Sequence, residues 1–109
     1  MKEGIEKLKA LRPRIENVVL EDKSHAFNTA RIEALELQNL FATAEATAIA
    51  AEGRTESRGA HAREDFQDRD DENWLCHSIF YPESKTLGKR EVNFNLKTRE
   101  AFAPKVRTY

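Results

Sequence analysis

The stretch from residue 28 to residue 53 constrains the fold most, because it predicts a long helix that is apolar on more than one side. Asn28 or Thr29 can cap its first turn, and Gly53 suits a left-handed C-terminal cap. A helix with this pattern needs two neighbours to cover it. The apolar positions that show it are Ile32, Leu35, Leu37, Leu40, Phe41, Ala44, Ala48 and Ile49.

One neighbour is predicted just before this segment, in residues 5–19. Apolar residues recur there every three or four positions, which is typical of an amphipathic helix, and Pro13 inside it predicts a kink. We therefore expect a helical hairpin over residues 1–53. No segment after Gly53 has the pattern of a long amphipathic helix, so the second neighbour is missing. This predicts that the chain has been cut from a longer one, and that the isolated chain self-associates. The recurring positions are Ile5, Leu8, Leu11, Ile15 and Val18.

The rest of the chain predicts a charged connection over residues 54–73, a β-hairpin within residues 74–97 and an extended tail over residues 98–109. The hairpin is indicated by two β-favouring runs, "WLCHSIFY" and "REVNFNL", with Pro82 and Gly88 as punctuation between them. The fold class is mainly α: an antiparallel helical bundle followed by a short β-hairpin. At 109 residues, we expect one domain.

Composition excludes several classes of protein. A single cysteine, Cys76, rules out an internal disulfide and a cysteine-based metal site. No apolar run is long enough to span a bilayer, and the first residues lack the apolar core of a signal peptide. We therefore expect no direct membrane insertion and a cytoplasmic location. The tail is basic with interleaved aromatic residues, but we favour a solvated or partner-facing tail over nucleic-acid binding.

Residues 54–74, "RTESRGAHAREDFQDRDDENW", have the charge density of an active site, yet the known site patterns fail there. His61 and Asp65 would share a helical face, but two ligands do not make a metal site. The pairs Ser57 with His61 and Glu56 with Glu64 lack the surroundings of a catalytic pair. The acids of residues 68–73 lack the glycine and the twelfth-position glutamate of a calcium loop.

The sequence also contains no motif for cofactor binding, because the four glycines cannot form a dinucleotide fingerprint or a phosphate loop. The role that remains for the arginines is to bind carboxylates. Arg54, Arg58 and Arg63 offer planar, bidentate donors to carboxylates across a domain or subunit boundary. The alternative is ion pairing within the chain, to Glu56, Glu64 or Asp65. The residues alone leave both open. The glycines are Gly4, Gly53, Gly59 and Gly88.

Four stretches together resemble the C-terminal part of the flavoprotein subunit of bacterial succinate dehydrogenases. They are "FNTARIEALELQNL" at residues 27–40, "RTESRGAHAREDF" at 54–66, "DRDDENWLCHS" at 68–78 and "FAPKVRTY" at 102–109. The "ESRGAH" motif is shared with fumarate reductase and L-aspartate oxidase flavoproteins, so the combination carries the resemblance. Gln67, where the family usually has proline, and Pro13 depart from the pattern.

The resemblance implies that the whole subunit oxidises succinate to fumarate. Electrons would pass through covalently attached FAD to an iron-sulfur subunit and then, through a membrane anchor, to quinone. The flavin-binding and substrate-binding residues of the family lie upstream, so this chain would hold no catalytic, cofactor-binding or metal-binding residue and would be inactive alone. The family's bundle has three helices, spectrin-repeat-like, of which this chain would lack the first.

The expected partners are the flavin-binding portion of the same subunit and the iron-sulfur subunit, at the cytoplasmic face of the inner membrane. The expected contact residues are Arg54, Glu56, Arg58, His61, Arg63 and Asp65. Two alternatives stay open: the corresponding region of a fumarate reductase, and a free-standing helical module that binds a partner helix.

Overall fold

Three helices and one β-hairpin make up the part of the chain that the computed structural model describes, residues 1–105. The order is α1 (Lys2–Glu16), α2 (Thr29–Gly53), α3 (Asp71–Trp74), β1 (Cys76–Tyr81) and β2 (Thr86–Glu91). The first two helices form the expected helical hairpin, and the two strands pair at the C-terminal end of α2. This arrangement is a helical pair with a β-hairpin beside it, in agreement with the mainly α class.

Helix α1 continues through Pro13 and ends at Glu16, three residues before the predicted end. Proline removes one backbone donor inside the helix, and the helix stops within a turn of it. Asn17 closes the end, because its side-chain amide donates to the Pro13 carbonyl at 2.7 Å and its backbone N–H donates to the same oxygen at 3.2 Å.

Helix α2 begins where the cap chemistry predicts and ends for a different reason. The side chain of Asn28 accepts a hydrogen bond from the Arg31 N–H at 2.8 Å, which confirms the predicted cap. The prediction of a left-handed cap at Gly53 is wrong. Gly53 is the last helical residue, and a Cβ there would collide with the Leu87 side chain of β2. Glycine at this position therefore allows the helix end and the hairpin to approach closely.

The predicted hairpin is confirmed, but its second strand lies earlier than expected. Strand β2 starts at Thr86, whereas the prediction started it at Arg90 and used Gly88 as punctuation. Gly88 instead pairs with Ile79, and a Cβ on it would lie 2.8 Å from the Tyr81 ring. A glycine inside a strand often marks such a close approach.

The buried centre of the helical pair is small and partly ionic. Phe41 is the only buried large apolar residue among residues 1–105. The guanidinium of Arg12 lies 5.0 Å from its ring and also pairs with Glu45 at 2.5 Å. Lys85, in the turn of the hairpin, reaches the same carboxylate at 2.7 Å. Burial opposes ionisation of Glu45, but these two cations hold its pKa below the ordinary value.

One face of α2 has no cover within the described residues. Ile32, Leu35 and Leu40 are each more than half exposed, as the pattern in the sequence predicted. The described part of the tail, up to residue 105, lies outside regular secondary structure, and residues 106–109 of the predicted extended tail lie outside the described residues. Within residues 1–105, no helix has the length and hydropathy that crossing a membrane requires.

Candidate functional site

A fully buried carboxylate, Glu56, is the centre of the charged connection that follows α2. It accepts hydrogen bonds from Arg58 Nε at 2.8 Å, from Arg58 Nη2 at 3.0 Å and from the Asp70 backbone N–H at 2.8 Å. Arg54 donates to it as well. Burial alone would raise the pKa of Glu56, but these donors lower it below its ordinary value, so the group is an anion in the folded chain.

Arg54 connects the end of α2 to the segment that starts the hairpin. Besides Glu56, it donates to the Trp74 carbonyl at 3.0 Å and to the Cys76 carbonyl at 2.5 Å. Its guanidinium also lies 5.0 Å from the Trp74 ring centre. A guanidinium that combines ionic, backbone and ring contacts in this way has a single defined orientation.

Arg63 closes the C-terminal end of α2. It is buried, and it donates to the Ala51 and Glu52 carbonyls at 3.0 Å each. These are among the last carbonyls of the helix, which have no partner inside the helix. The other side of the guanidinium holds Asp65 in a bidentate pair at 2.7 and 2.6 Å, which lowers the pKa of Asp65 to about 2.

His61 and Ser57 serve the same framework and do not contact each other. His61 Nε2 lies 3.2 Å from the Arg54 carbonyl, and the His61 backbone pairs with that of Arg58 across a tight turn. Gly59 makes that turn with φ 58, a conformation that glycine adopts without strain. The Ser57 hydroxyl donates to the Phe66 carbonyl at 2.7 Å. A nucleophile and base are therefore not assembled here.

The acids of residues 68–73 also have structural partners. Asp70 caps α3 by accepting from the Asn73 N–H at 2.9 Å. Asp71 forms ion pairs with Arg69 and, at 2.6 Å, with Arg58. Hydrogen bonds from Arg69, which has the larger effect, and from Arg58 lower the pKa of Asp71 to about 2. The short helix was missed in the sequence, although a capping aspartate followed by two acids in the first turn, Asp71 and Glu72, is a helix-start signal. No metal-binding group occurs in the described part of the chain.

The structure therefore brings the six predicted site residues together, and they form ion pairs or hydrogen bonds with other groups of this chain. Arg54 and Arg58 share Glu56, Arg63 holds Asp65, and His61 binds backbone. The ion pairing that the sequence left open as an alternative is present. Glu64 has no ion pair among residues 1–105. The outer side remains accessible: an open cleft of about 880 Å³ is lined by Arg58, His61, Arg69, Asp71 and Lys105, among others.

Comparison with known protein families decides what kind of chain this is. The family model described as the fumarate reductase flavoprotein C-terminus matches residues 1–109. The chain belongs to this family. The resemblance inferred from the four sequence motifs is confirmed.

Relatives of this family are similar over most of the chain. A succinate dehydrogenase flavoprotein subunit of Coxiella burnetii is 48% identical over 107 residues, which is 98% of this chain. The mitochondrial succinate dehydrogenase [ubiquinone] flavoprotein subunit of Oryza sativa is 46% identical over 85% of the chain, and a fumarate reductase flavoprotein subunit of Mycobacterium tuberculosis is 35% identical over 97%. The chain spans 18%, 15% and 18% of these relatives, respectively.

A flavin cofactor is implied by the family name, but the residues of this chain do not fit one. Three of its glycines have structural roles instead. Gly53 ends α2 against Leu87, Gly59 makes a turn, and Gly88 lies in β2. A phosphate cradle of consecutive backbone N–H groups before a helix is not formed by them. The arginines of residues 54–73 are paired with Glu56, Asp65 and Asp71.

Proposed function

We propose that this chain is the C-terminal helical domain of a succinate dehydrogenase flavoprotein subunit and that it supports packing between domains and subunits. The observation that carries the proposal is the 48% identity over 98% of the chain with a succinate dehydrogenase flavoprotein subunit. In the whole subunit, succinate would be oxidised to fumarate and FAD would be reduced. The residues of this chain take no part in that chemistry and hold no cofactor.

The domain is a three-helix, spectrin-repeat-like bundle in this proposal, of which α1 and α2 are two helices. The exposed residues Ile32, Leu35 and Leu40 support a third helix on that face of α2. Residues 1–53 are the helical hairpin, 54–73 the charged connection, 74–97 the hairpin region and 98–109 the tail. Without the third helix, the same face of α2 favours self-association of the isolated chain.

The charged connection is the proposed contact with the flavin-binding portion or a neighbouring subunit. Its inner groups are fixed by pairs within the chain, which keeps the loop in one conformation. Its outer groups remain available, because Asp65 has a side chain that is 62% exposed and Phe66 is 40% exposed. A rigid loop loses little conformational entropy on binding, so an interface built on it forms at low cost. The proposed contact segment holds Arg54, Glu56, Arg58, His61, Arg63 and Asp65, of which the buried Glu56 and Arg63 act by fixing the loop and not by touching the partner.

The proposed partners follow from the family assignment. They are the flavin-binding portion of the same polypeptide and an iron-sulfur subunit, with peripheral attachment at the cytoplasmic face of the inner membrane through the latter. Neither nucleic acid nor direct membrane insertion is part of the proposal.

Succinate-dependent dye reduction tests the assignment. The chain is assayed alone and as the C-terminal part of the C. burnetii subunit, in place of the 107 matching residues. Activity only in the full-length chimera is the expected result. A chimera that binds FAD but is inactive, next to an active parent subunit, would contradict the assignment.

Substitution of the arginines tests the contact. Arg58→Ala and Arg63→Ala in the chimera are expected to lower stability, flavin content and assembly with the iron-sulfur subunit. Arg14→Ala, on the exposed side of α1, is the matched control. If the isolated chain lost stability while assembly and flavin content of the chimera stayed unchanged, the cluster would be purely internal and the contact proposal wrong.

A fumarate reductase is the second candidate, favoured by the family description and by the M. tuberculosis relative. The ratio of succinate oxidation to fumarate reduction in the native subunit's complex distinguishes the two. A free-standing helical module is the third, supported by the exposed face of α2, and an inactive chimera together with helix binding by the isolated chain would favour it.

A further inference from the structure

Phe27, directly before the cap of α2, combines two unfavourable features. Its φ is 53, in the left-handed region, where a bulky residue is an outlier. Its side chain is also fully exposed, at 102% of the reference area. The exposed ring gains no stabilisation from burial on folding, and the left-handed backbone costs free energy, so Phe27 contributes nothing to the stability of this chain by itself.

The strain at Phe27 is held by its neighbour Asn28, which is buried. The Asn28 amide donates to the Asp22 carbonyl at 3.1 Å and to the Ser24 carbonyl at 3.0 Å, while its oxygen caps α2. The Thr29 N–H donates to the Phe27 carbonyl at 3.0 Å. These bonds fix the backbone on both sides of Phe27, and the ring projects from it into solvent.

The other non-glycine residue with positive φ in the described chain has a side-chain partner, and the side chain of Phe27 has none. Lys85, with φ 57, donates to the buried Glu45 at 2.7 Å. The ring of Phe27, by its exposure, contacts nothing among residues 1–105 that would shield it. The hydrogen bonds of Asn28 and Thr29 hold the backbone in its strained conformation, but they give the ring no partner. Backbone strain clusters at recognition sites, which points to a partner for the ring outside these residues.

We infer that Phe27 is an anchor that inserts its ring into an apolar pocket on the flavin-binding portion of the full-length subunit. This inference rests on the proposed function. The chain spans 18% of the C. burnetii relative, and the family description places the matched region at the C-terminus, so most of the polypeptide precedes it and is tethered to it. Tethering raises the effective concentration of this portion over that of any free partner.

The surroundings of Phe27 fit an anchor of this kind. Val19 and Val18 in the same connection between the helices are also 83% and 45% exposed, so this connection presents further apolar side chains to solvent. Interfaces concentrate their binding energy in a few aromatic anchors, surrounded by contacts that mainly exclude water. Truncating such an anchor typically weakens binding by roughly 30-fold or more.

The first experiment reports the burial of the ring directly. Phe27→Trp is introduced into the isolated chain and into the chimera with the C. burnetii flavin-binding portion, and the emission of Trp74 is subtracted with the unsubstituted proteins. We expect red-shifted emission from residue 27 in the isolated chain and blue-shifted emission in the chimera. Emission that is equally red-shifted in both would overturn the inference. A blue shift in the isolated chain that grows with concentration would also overturn it, since a second copy would then cover the ring.

The second experiment separates an anchor from a structural residue. Phe27→Gly relieves the backbone strain, so the isolated chain is expected to melt at the same temperature or higher. In the chimera the same substitution is expected to accelerate limited proteolysis at the junction of the two portions by roughly tenfold or more. Phe102→Ala removes another largely exposed ring, 83% exposed, from the tail and is expected to leave that rate within about twofold. Equal acceleration by both variants, or none by Phe27→Gly, would contradict the anchor.

The two proposals fail in distinguishable ways. A chimera without succinate-dependent dye reduction but with a buried residue 27 would reject the proposed activity and keep the docking surface. An active chimera in which residue 27 stays exposed would reject the anchor and keep the activity.

Discussion

Replacing Glu56 with glutamine is the sharpest perturbation of the ion cluster. It removes the negative charge and exchanges one acceptor oxygen for an NH2 donor, while the side chain keeps its size. The carboxylate is fully buried and accepts from Arg54, from Arg58 twice and from the Asp70 N–H. An amide in its place turns one acceptor into a donor that faces another donor. It also removes the carboxylate partner of Arg54 and one of the two carboxylate partners of Arg58.

The magnitude follows from this geometry. Breaking a buried ion pair from one side costs roughly 3 to 5 kcal/mol, because the remaining charges stay desolvated. A domain of this length has a free energy of unfolding on the order of 5 to 15 kcal/mol. At about 4 °C or more per kcal/mol, we expect Glu56→Gln to lower the melting temperature of the chain by at least about 12 °C.

Thermal unfolding followed by circular dichroism measures the effect, with Glu64→Gln as the matched control. Glu64 is an exposed carboxylate of the same segment without an ion pair in the described chain, so its substitution is expected to cost within about 0.5 kcal/mol. A Glu56→Gln variant that melts within about 2 °C of the wild type would refute the view that this carboxylate organises the loop.

Three further predictions concern pH, backbone strain and capping. The pKa of Asp71 falls from 3.8 to about 2 on folding, and that of Glu56 also falls below its ordinary 4.5, so their stabilisation is present above these ordinary values. Melting temperature is expected to decrease between pH 4.5 and pH 2, less steeply in Glu56→Gln. Gly59→Ala, at φ 58 in open space, is expected to cost about 1 kcal/mol, whereas Gly4→Ala inside α1 adds about 0.5 to 1 kcal/mol of stability; urea denaturation measures both. Asn28→Ala removes the cap of α2 and is expected to cost about 1 to 2 kcal/mol in the same assay, with an unchanged midpoint speaking against its role.

The two longer helices, α1 and α2, and the hairpin were predictable because their signals are local. Asn28 identifies the start of α2 through a bond to a residue three positions away. The recurrence of apolar residues every three or four positions reflects only the period of the helix itself. The end of α2 was not predictable in the same way, since Gly53 is required by Leu87, a residue 34 positions later in another element. The same limit explains β2, where Gly88 is a strand residue because Tyr81 lies against it.

The membership of the charged cluster was predictable in part, and its pairing was not. The density of arginines and acids pointed to residues 54–73, but Arg69, Asp70 and Asp71 also belong to the network and were not among the six predicted residues. Which acid serves which arginine depends on contacts such as that of Arg54 with the Trp74 and Cys76 carbonyls, which exist only once the hairpin has docked. An ion pair in a loop, such as Arg63 with Asp65, lacks the three- or four-residue spacing by which a pair on a helix can be predicted.

The pairing bears on why the segment is ionic at all. Buried ion pairs add little net stability compared with apolar contacts of the same volume, since desolvation offsets most of the attraction. Their hydrogen bonds are directional, however. Arg54, Arg58 and Arg63 each bind several partners at fixed angles, and this restricts the loop to one conformation. A loop that served only as a connection would gain nothing from such restriction. A loop that presents Asp65 and Phe66 to another surface gains affinity from it, because its ordering cost is met before binding.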